Sequence, residues 1–336
     1  CLSKNMRCGL CRGKGAHLPD TRNSATAVVV SKNNGYGLTV DAEVLADALL
    51  DIGISSESAL SGDSGWVSRW LAPRLFDFVF HLERVYPSWI GAGSRNVLVP
   101  NQERFPRRHI GRLSNIDLVL AKTAHAQTVF TDLGCKAVLT GFASRDLHDP
   151  TIEKGWNRFL HVAGGSTLKG TEEILAIWER HPEWPTLFLI QKKRNLPKIL
   201  PPNVDASSGY VPEDRLRELM NSCGIHLCPS RSEGWGHYIH EAQGCGAVVV
   251  PTDGPPMNEF VGPDTGFLVD VDRREDRHLG ANMFVDPVSL EKNVHSVLAA
   301  EPEILARKGE RARQAFLRNR DAFPRQLSEA LSRIAP

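Results

Sequence analysis

Two acidic side chains, Glu233 and Glu241, flank the run Gly234-Trp235-Gly236-His237-Tyr238-Ile239-His240. The glycines mark a loop and the residues from His237 read as a helix, so Glu233 precedes the helix and Glu241 sits about a turn inside it. From those positions two carboxylates can point into one cleft at different depths. A carboxylate accepts hydrogen bonds from two vicinal hydroxyls at once, which suits a ribose or a hexose. Taken singly, Glu233 is a charge favoured at a helix N-terminus and Glu241 a solvated helix residue. The pair, with glycines between, is far less expected by accident and points to a site.

A second loop, Gly164-Gly165-Ser166-Thr167-Leu168-Lys169-Gly170, joins an apolar run, Arg158–Ala163, to a helical stretch, Thr171–His181. Glycines let the backbone approach a ligand closely, and the helix that follows aims its first N–H groups at an anion. Lys169 adds a full positive charge. The loop spells neither GxxxxGK[ST] nor GxGxxG, and it reads either as a phosphate cradle of another kind or as a tight turn that needs glycine for its own geometry. A third loop, Asn33-Asn34-Gly35-Tyr36-Gly37, follows the first apolar run and offers the same backbone chemistry.

The elements that must carry these loops alternate along the chain. Apolar runs at Ala25–Ser31, Asp77–Leu82, Asn96–Val99, Ile116–Ala121 and Ala137–Thr140 are separated by helical patterns such as Thr39–Asp51 and Ala124–Leu133. After the polar stretch Asp146–Asn157 a second series runs through strands Arg158–Ala163, Thr186–Gln191, Ile225–Cys228 and Ala247–Pro251, with helices Thr171–His181, Glu213–Ser222 and His237–Gln243 between them. Strands separated by helices predict parallel sheets covered on both faces, and two such series predict two α/β domains. The helical stretch Pro302–Ile334 carries a row of arginines, read as a solvated face, and a break expected near Phe323-Pro324.

Composition sets the outer bounds. The chain has 336 residues, 41% hydrophobic and 24% charged, with a net charge of +1. That balance argues against a protein whose task is wrapping nucleic acid. No apolar run approaches the ~18 residues of a membrane span. The basic first 24 residues lack the apolar core of an export signal and are read as a flexible extension. Seven scattered cysteines do not read as a disulfide framework, so a reducing cytoplasm is expected. Cys8 and Cys11 have no second close pair to complete a zinc site, and the lone Asp270-Val271-Asp272 triplet is weak as a metal motif.

The span Phe159–Val269 resembles the nucleotide-sugar domain of retaining glycosyltransferases of the GT-B fold, family-four type (glycosyl transferases group 1). The resemblance rests on the loop ending in Lys169-Gly170, on Gly209-Tyr210-Val211-Pro212-Glu213, on Pro229-Ser230-x-x-Glu233-Gly234-Trp235-Gly236 with Glu241-Ala242, on Gly246–Val250, on Glu259 and on Gly266–Val269. The N-terminal half is similar to the family in architecture and in its first glycine loop. The resemblance implies an α/β GT-B fold of two Rossmann-like doubly wound domains facing across a cleft. An extension (1–24), an acceptor domain (25–148), a nucleotide-sugar domain (149–320) and a C-terminal helix (321–336) packing back on the first domain follow from it.

The resemblance also assigns roles. The donor is a nucleoside diphosphate sugar. Glu241 matches the residue on the ribose hydroxyls, Glu233 the one on the transferred sugar with the amides of Gly234, Trp235 and Gly236 nearby, and Lys169 the diphosphate lysine. Gly35 and Gly37 match the loop closing on the phosphates, Ser166 and Tyr210 join the donor set, and His81 matches a cleft histidine placed with Glu233 as catalytic. A histidine after a strand is otherwise a hydrogen-bonded structural residue. Two departures stand out. The arginine that family members place five residues before the lysine is Gly164 here, with Ser166, Lys192, Lys193 or Arg194 left to compensate. A glycine-rich turn is replaced by Gly254-Pro255-Pro256-Met257.

The implied reaction is sugar transfer with retention, by front-face substitution, to a glycan, lipid-linked or other acceptor, with no metal and no cofactor besides the donor. Arg104, Arg107, Arg108 and Arg112, opposed by Glu103 alone, would meet an anionic acceptor or form a solvated loop. The expected location is the cytoplasm, with peripheral contact at a membrane surface. The alternatives are an inactive GT-B-like binding or scaffold protein and a sugar-nucleotide epimerase of similar architecture, a class without the Glu-x7-Glu spacing.

Overall fold

The computed structural model describes residues 25–32, 37–62 and 75–335. Gly35 and the Cys8–Cys11 pair lie outside the described residues. The first domain contains β1 (Thr26–Ser31), α1 (Gly37–Asp51), β2 (Ser55–Leu60), β3 (Phe76–Glu83), β4 (Gly93–Pro100), β5 (Leu118–Ala121), α2 (Ala124–Asp132) and β6 (Ala137–Leu139). Its strands form one parallel sheet in the order β2-β1-β3-β4-β5-β6. The unbroken apolar run of β1 is explained by burial on both faces. Ala27 and Val29 pack with Leu38, Leu45 and Leu49 of α1, while Val28 and Val30 face Tyr86 and Trp89 on the other side.

The second domain contains β7 (Gly155–Gly164), α3 (Thr171–Arg180), β8 (Leu187–Gln191), β9 (Val204–Ser207), α4 (Glu213–Ser222), β10 (Cys223–Cys228), α5 (His237–Gly244) and β11 (Val248–Pro251). Its parallel sheet runs β11-β10-β7-β8-β9. An antiparallel hairpin, β12 (Val271–Arg277) and β13 (Gly280–Val285), and a helix, α6 (Pro287–Leu298), follow. The core between sheet and helices is built on Phe159, Ile174, Trp178, Ile225, Val248, Leu290 and Val294.

The last helix, α7 (Pro302–Ser332), belongs to both domains. Leu305 lies in the second core, whereas Phe323, Leu327, Ala330 and Leu331 lie in the first. The helix runs through Pro324 without the expected break. A proline inside a helix removes one hydrogen bond at a cost of ~3 kcal/mol, and burial of Phe323 and Leu327 on either side offsets that cost. Several of the helix's cations hold it in place. Arg313 and Arg320 pair with Asp146 in the connection between the domains, at 2.6 and 3.0 Å, and Arg311 pairs with Asp264 at 2.6 Å.

The hairpin spans the domains as well. Leu279, in its turn, packs against the first domain's Phe105–Leu113 cluster, and its N–H donates to the Gln102 carbonyl at 3.2 Å. The hairpin and the short strands β2 and β9 are not among the strands expected from the apolar runs, because β2 and β12 are dominated by polar residues and β9 has only four residues. No helix among the described residues is long and apolar enough to cross a membrane. Cys223, Cys228 and Cys245 are buried free thiols, and burial pushes each of them up from the ordinary thiol range.

Candidate functional site

The loops after β7 and β10 meet at the carboxyl ends of the second sheet. Gly170 has φ +70°, and a Cβ there would lie 2.3 Å from the Pro229 carbonyl oxygen, so glycine alone lets the two loops close on each other. That contact places Lys169 over the following loop. Its ammonium donates to Glu233 Oε1 at 2.5 Å and stands 3.4 Å from the centre of the Tyr238 ring. Ser230 Oγ donates to the same carboxylate oxygen at 2.5 Å and accepts from the Tyr238 hydroxyl at 2.5 Å. Glu233 is thereby fixed in orientation by a cation and a hydroxyl.

Glu241, on α5, is different. Its carboxylate has no hydrogen-bond partner among the described residues. Burial pushes it up from the ordinary carboxylate range, opposed by the charges of His237, Arg145 and Lys169. Such a carboxylate is an acceptor held ready for donors that the protein does not supply.

The first domain closes the other side of this site. A Cβ on Gly234 would fall 2.3 Å from Asn101 Oδ1, so the chain at Gly234 and the end of β4 touch directly. Gln102 Nε2 donates to the Glu233 carbonyl at 3.0 Å. Lys122, at the end of β5, is buried and donates to Asp41 Oδ2 at 2.7 Å and Asn101 Oδ1 at 3.1 Å. Asp41 in turn meets His237 Nε2 at 2.9 Å, and His237 Nδ1 meets Ser144 Oγ at 2.9 Å. The same serine accepts from Trp235 Nε1 at 3.0 Å. Burial alone would raise Asp41, but Lys122 and His237 outweigh it and hold its carboxyl at about 2. A chain of charges and hydrogen bonds thus runs from α1 to the first turn of α5. Beside it, Glu103 is buried with one unpartnered oxygen, and burial together with the Glu233 charge pushes it up to about 7.

The expected site residues fall into distinct groups. Lys169, Glu233, Glu241 and Gly234–Gly236 are brought together. Trp235 contributes its backbone to that loop, while its side chain is buried between the domains, stacked on His240 with ring centres 4.0 Å apart. Ser166 stays within its own loop, its Oγ accepting from Leu168 N at 3.1 Å. Lys192 is the cation that lies along the loop, because a Cβ on Gly165 would be 3.4 Å from its stem and 3.7 Å from its Nζ. Tyr210 stands 90% exposed between β9 and α4. Gly37 begins α1, with open space where a side chain would be.

His81 is wholly buried in β3, its Nε2 paired with Asn96 Oδ1 at 3.2 Å and its Nδ1 accepting from Tyr86 N at 3.2 Å. Burial lowers it to about 4. Two residues on, Glu83 ends the strand with φ +69°, a strained position for a residue with a side chain, and pairs with Arg84. Asp270 and Asp272 stand exposed at the start of the hairpin. Asp41, Asn101, Gln102, Glu103 and Lys122 are the residues that sequence reasoning missed. The signal was there for two of them: Asn101 and Lys122 are polar residues at the carboxyl ends of apolar strands, where ligands of open α/β sheets bind.

Comparison with known proteins agrees with this geometry. Residues 204–285 match the family model of glycosyl transferases group 1. No curated protein sequence matches the chain. Among solved structures, sucrose-phosphate synthase from Thermosynechococcus elongatus superposes with a TM-score of 0.72 at 12% identity, covering 92% of this chain and 99% of that one. The Anabaena protein HepE, solved in complex with UDP and glucose, gives 0.67 at 15% identity over 92% and 99%. A glycosyltransferase from Rickettsia africae gives 0.65 at 13% identity over 91% and 97%. The chain therefore has the GT-B fold, and its residues 204–285 carry the pattern of the glycosyl transferases group 1.

Proposed function

We propose that this protein transfers a glycosyl group from a nucleoside diphosphate sugar to an acceptor, with retention of configuration and without a metal ion. The observation that carries the reading is the pairing of two unlike carboxylates at one cleft: Glu233, held by Lys169 and Ser230, and Glu241, half-buried and without a hydrogen-bond partner among the described residues. In this reading Glu241 accepts the two ribose hydroxyls and Glu233 orients the transferred sugar. Lys169, Lys192 and the first N–H groups of α3 take up the negative charge that grows on the leaving diphosphate. The amides of Gly234–Gly236 complete the donor side of the cleft in this reading. HepE, which shares the fold, holds UDP and glucose, and this supports a nucleotide sugar as donor.

The acceptor side is basic. Lys32, Arg84, Arg108 and Arg112 act together on His109 and depress it, after burial, below the ordinary imidazole range. An acceptor carrying negative charge fits that rim, and its binding should weaken with salt.

The test is incubation of the full chain with labelled UDP-, GDP- and ADP-sugars without acceptor, with and without a chelator. Slow hydrolysis of one donor, unchanged by the chelator, is expected. Loss of activity that magnesium restores would overturn the metal-free reading. A protein that binds and hydrolyses none of the donors would be a scaffold.

A further inference from the structure

Far from the cleft, at the end of α3 opposite Gly170, side chains with metal-binding chemistry meet on the second domain. His181 follows the last turn of α3, and Glu291 and His295 stand four residues apart on α6, so both project from one face of that helix. His181 Nε2 lies 2.8 Å from Glu291 Oε1, and the ligating atoms of His181, Glu291 and His295 all fall within 4.8 Å of one another.

The first ligand is rigidly presented. The His181 ring stacks on Trp184 with centres 4.1 Å apart and planes 5° from parallel. Asn203 Nδ2 donates to the carbonyls of both residues, at 2.9 and 3.3 Å. The other ring nitrogen, Nδ1, meets Glu183 Oε1 at 2.8 Å. A metal-bound histidine ordinarily donates its second N–H to a carboxylate in this way, which fixes ring orientation and raises ligand basicity. Arg180 holds the second oxygen of Glu291.

An ion-pair network explains His181, Glu183, Glu291 and Arg180, but it leaves His295 without a role. That ring packs edge-on to His181 and Trp184, 5.2 Å from each, and its nitrogens have no hydrogen-bond partner among the described residues.

We propose that His181, Glu291 and His295 form a binding site for a divalent transition metal, with Glu183 orienting His181. Two imidazoles and a carboxylate, with solvent as the fourth ligand, match zinc best. The site lies away from Glu233 and Glu241, so the ion pins α3 to α6 and takes no part in sugar transfer. The inference is independent of the function proposed above.

The test uses the full chain, purification tag removed and metal stripped with a chelator, titrated with zinc by calorimetry and with cobalt by absorption. One equivalent of zinc, a tetrahedral cobalt spectrum and a raised Tm are expected. His295→Ala, at an exposed position, should melt as the metal-free wild type does and lose both the heat and the spectrum. Glu183→Gln should bind about 10–100-fold more weakly, as loss of an outer carboxylate does. Absence of saturable zinc binding overturns the proposal. So does binding that survives His295→Ala, which would place the metal elsewhere, for instance on Cys8 and Cys11.

Discussion

Glu233 and Glu241 share a loop–helix junction yet face different chemical demands, and substitution should separate them. In the proposed role Glu241 contacts ribose equally in ground and transition states, and Glu241→Gln removes that acceptor. KM for the donor should rise and free nucleoside diphosphate should bind more weakly, with little change in kcat. In the proposed role Glu233 touches the sugar itself, whose ring gains positive character as the bond breaks, and Glu233→Gln weakens that contact. There kcat should fall while affinity for the bare nucleotide holds. Donor kinetics and calorimetry on both variants decide the assignment, and the reverse pattern would exchange the two roles.

Glu103 makes a second residue-scale case. Its carboxyl titrates at about 7 in the fold against an ordinary 4.5, so the folded state binds the proton more tightly. Its contribution is fully present below pH 4.5 and is lost as pH rises to 7. Glu103→Gln should therefore stabilise the protein at pH 7.5, by about 2–3 kcal/mol, and have little effect near pH 4.5. Denaturant midpoints at the two pH values check this.

At the scale of elements, the cleft is held by short polar links between parts that come from different domains. Within the first domain Lys122 on β5 joins Asp41 on α1 and Asn101 after β4, and Asp41 reaches across to His237 at the start of α5 in the second. Glu259 adds another link, accepting from the first N–H groups of α2, Ala124 at 2.7 Å and His125 at 2.8 Å. A carboxylate at a helix N-terminus is well placed for the helix dipole. Lys122→Met should leave Asp41 buried without its principal cation, at a cost of about 3–5 kcal/mol. Asp41→Asn in the same chain should recover much of the loss, because the charge stranded by the first change is then gone. Unfolding of both single variants and the double variant measures the coupling. Additive losses would mean that the pair does not act as a unit.

For the whole molecule, acid should be more damaging than base. His81 and His161 are lowered to about 4, and His226 and His240 to about 3, in each case chiefly by burial. A lowered imidazole is neutral in the fold and protonated in the unfolded chain below its ordinary 6.5, so stability falls as pH drops from 6.5 towards 4. The loss is on the order of 1 kcal/mol per histidine per pH unit, against a total of about 5–15 kcal/mol for a typical protein. Cooperative unfolding by about pH 5 is expected, with a slope of several protons. Glu103→Gln should steepen it, since Glu103 gains stability over the same interval. Thermal melts from pH 7 to pH 4.5 test both statements.

Much of this architecture is legible in sequence, for a physical reason. Strands buried on both faces carry near-continuous apolar runs, as Ala27–Val30 of β1 shows, and the loops at their carboxyl ends must be rich in glycine where chains approach closely. Periodicity and short motifs record such local requirements. The loop at Lys169, the pair Glu233 and Glu241, and the two-domain α/β plan are therefore all read from the chain alone. The partners of a polar residue far away along the chain leave no such trace. Nothing near Lys122 in the sequence announces Asp41, 81 residues away, or shows that Trp235 turns towards Ser144, 91 residues away. His81, read by position, has both ring nitrogens committed inside the first domain, whereas Glu103, read only as a counter-charge, sits buried beside Glu233. Desolvation and long-range pairing settle those outcomes, and both exist only once distant parts of the chain have folded together.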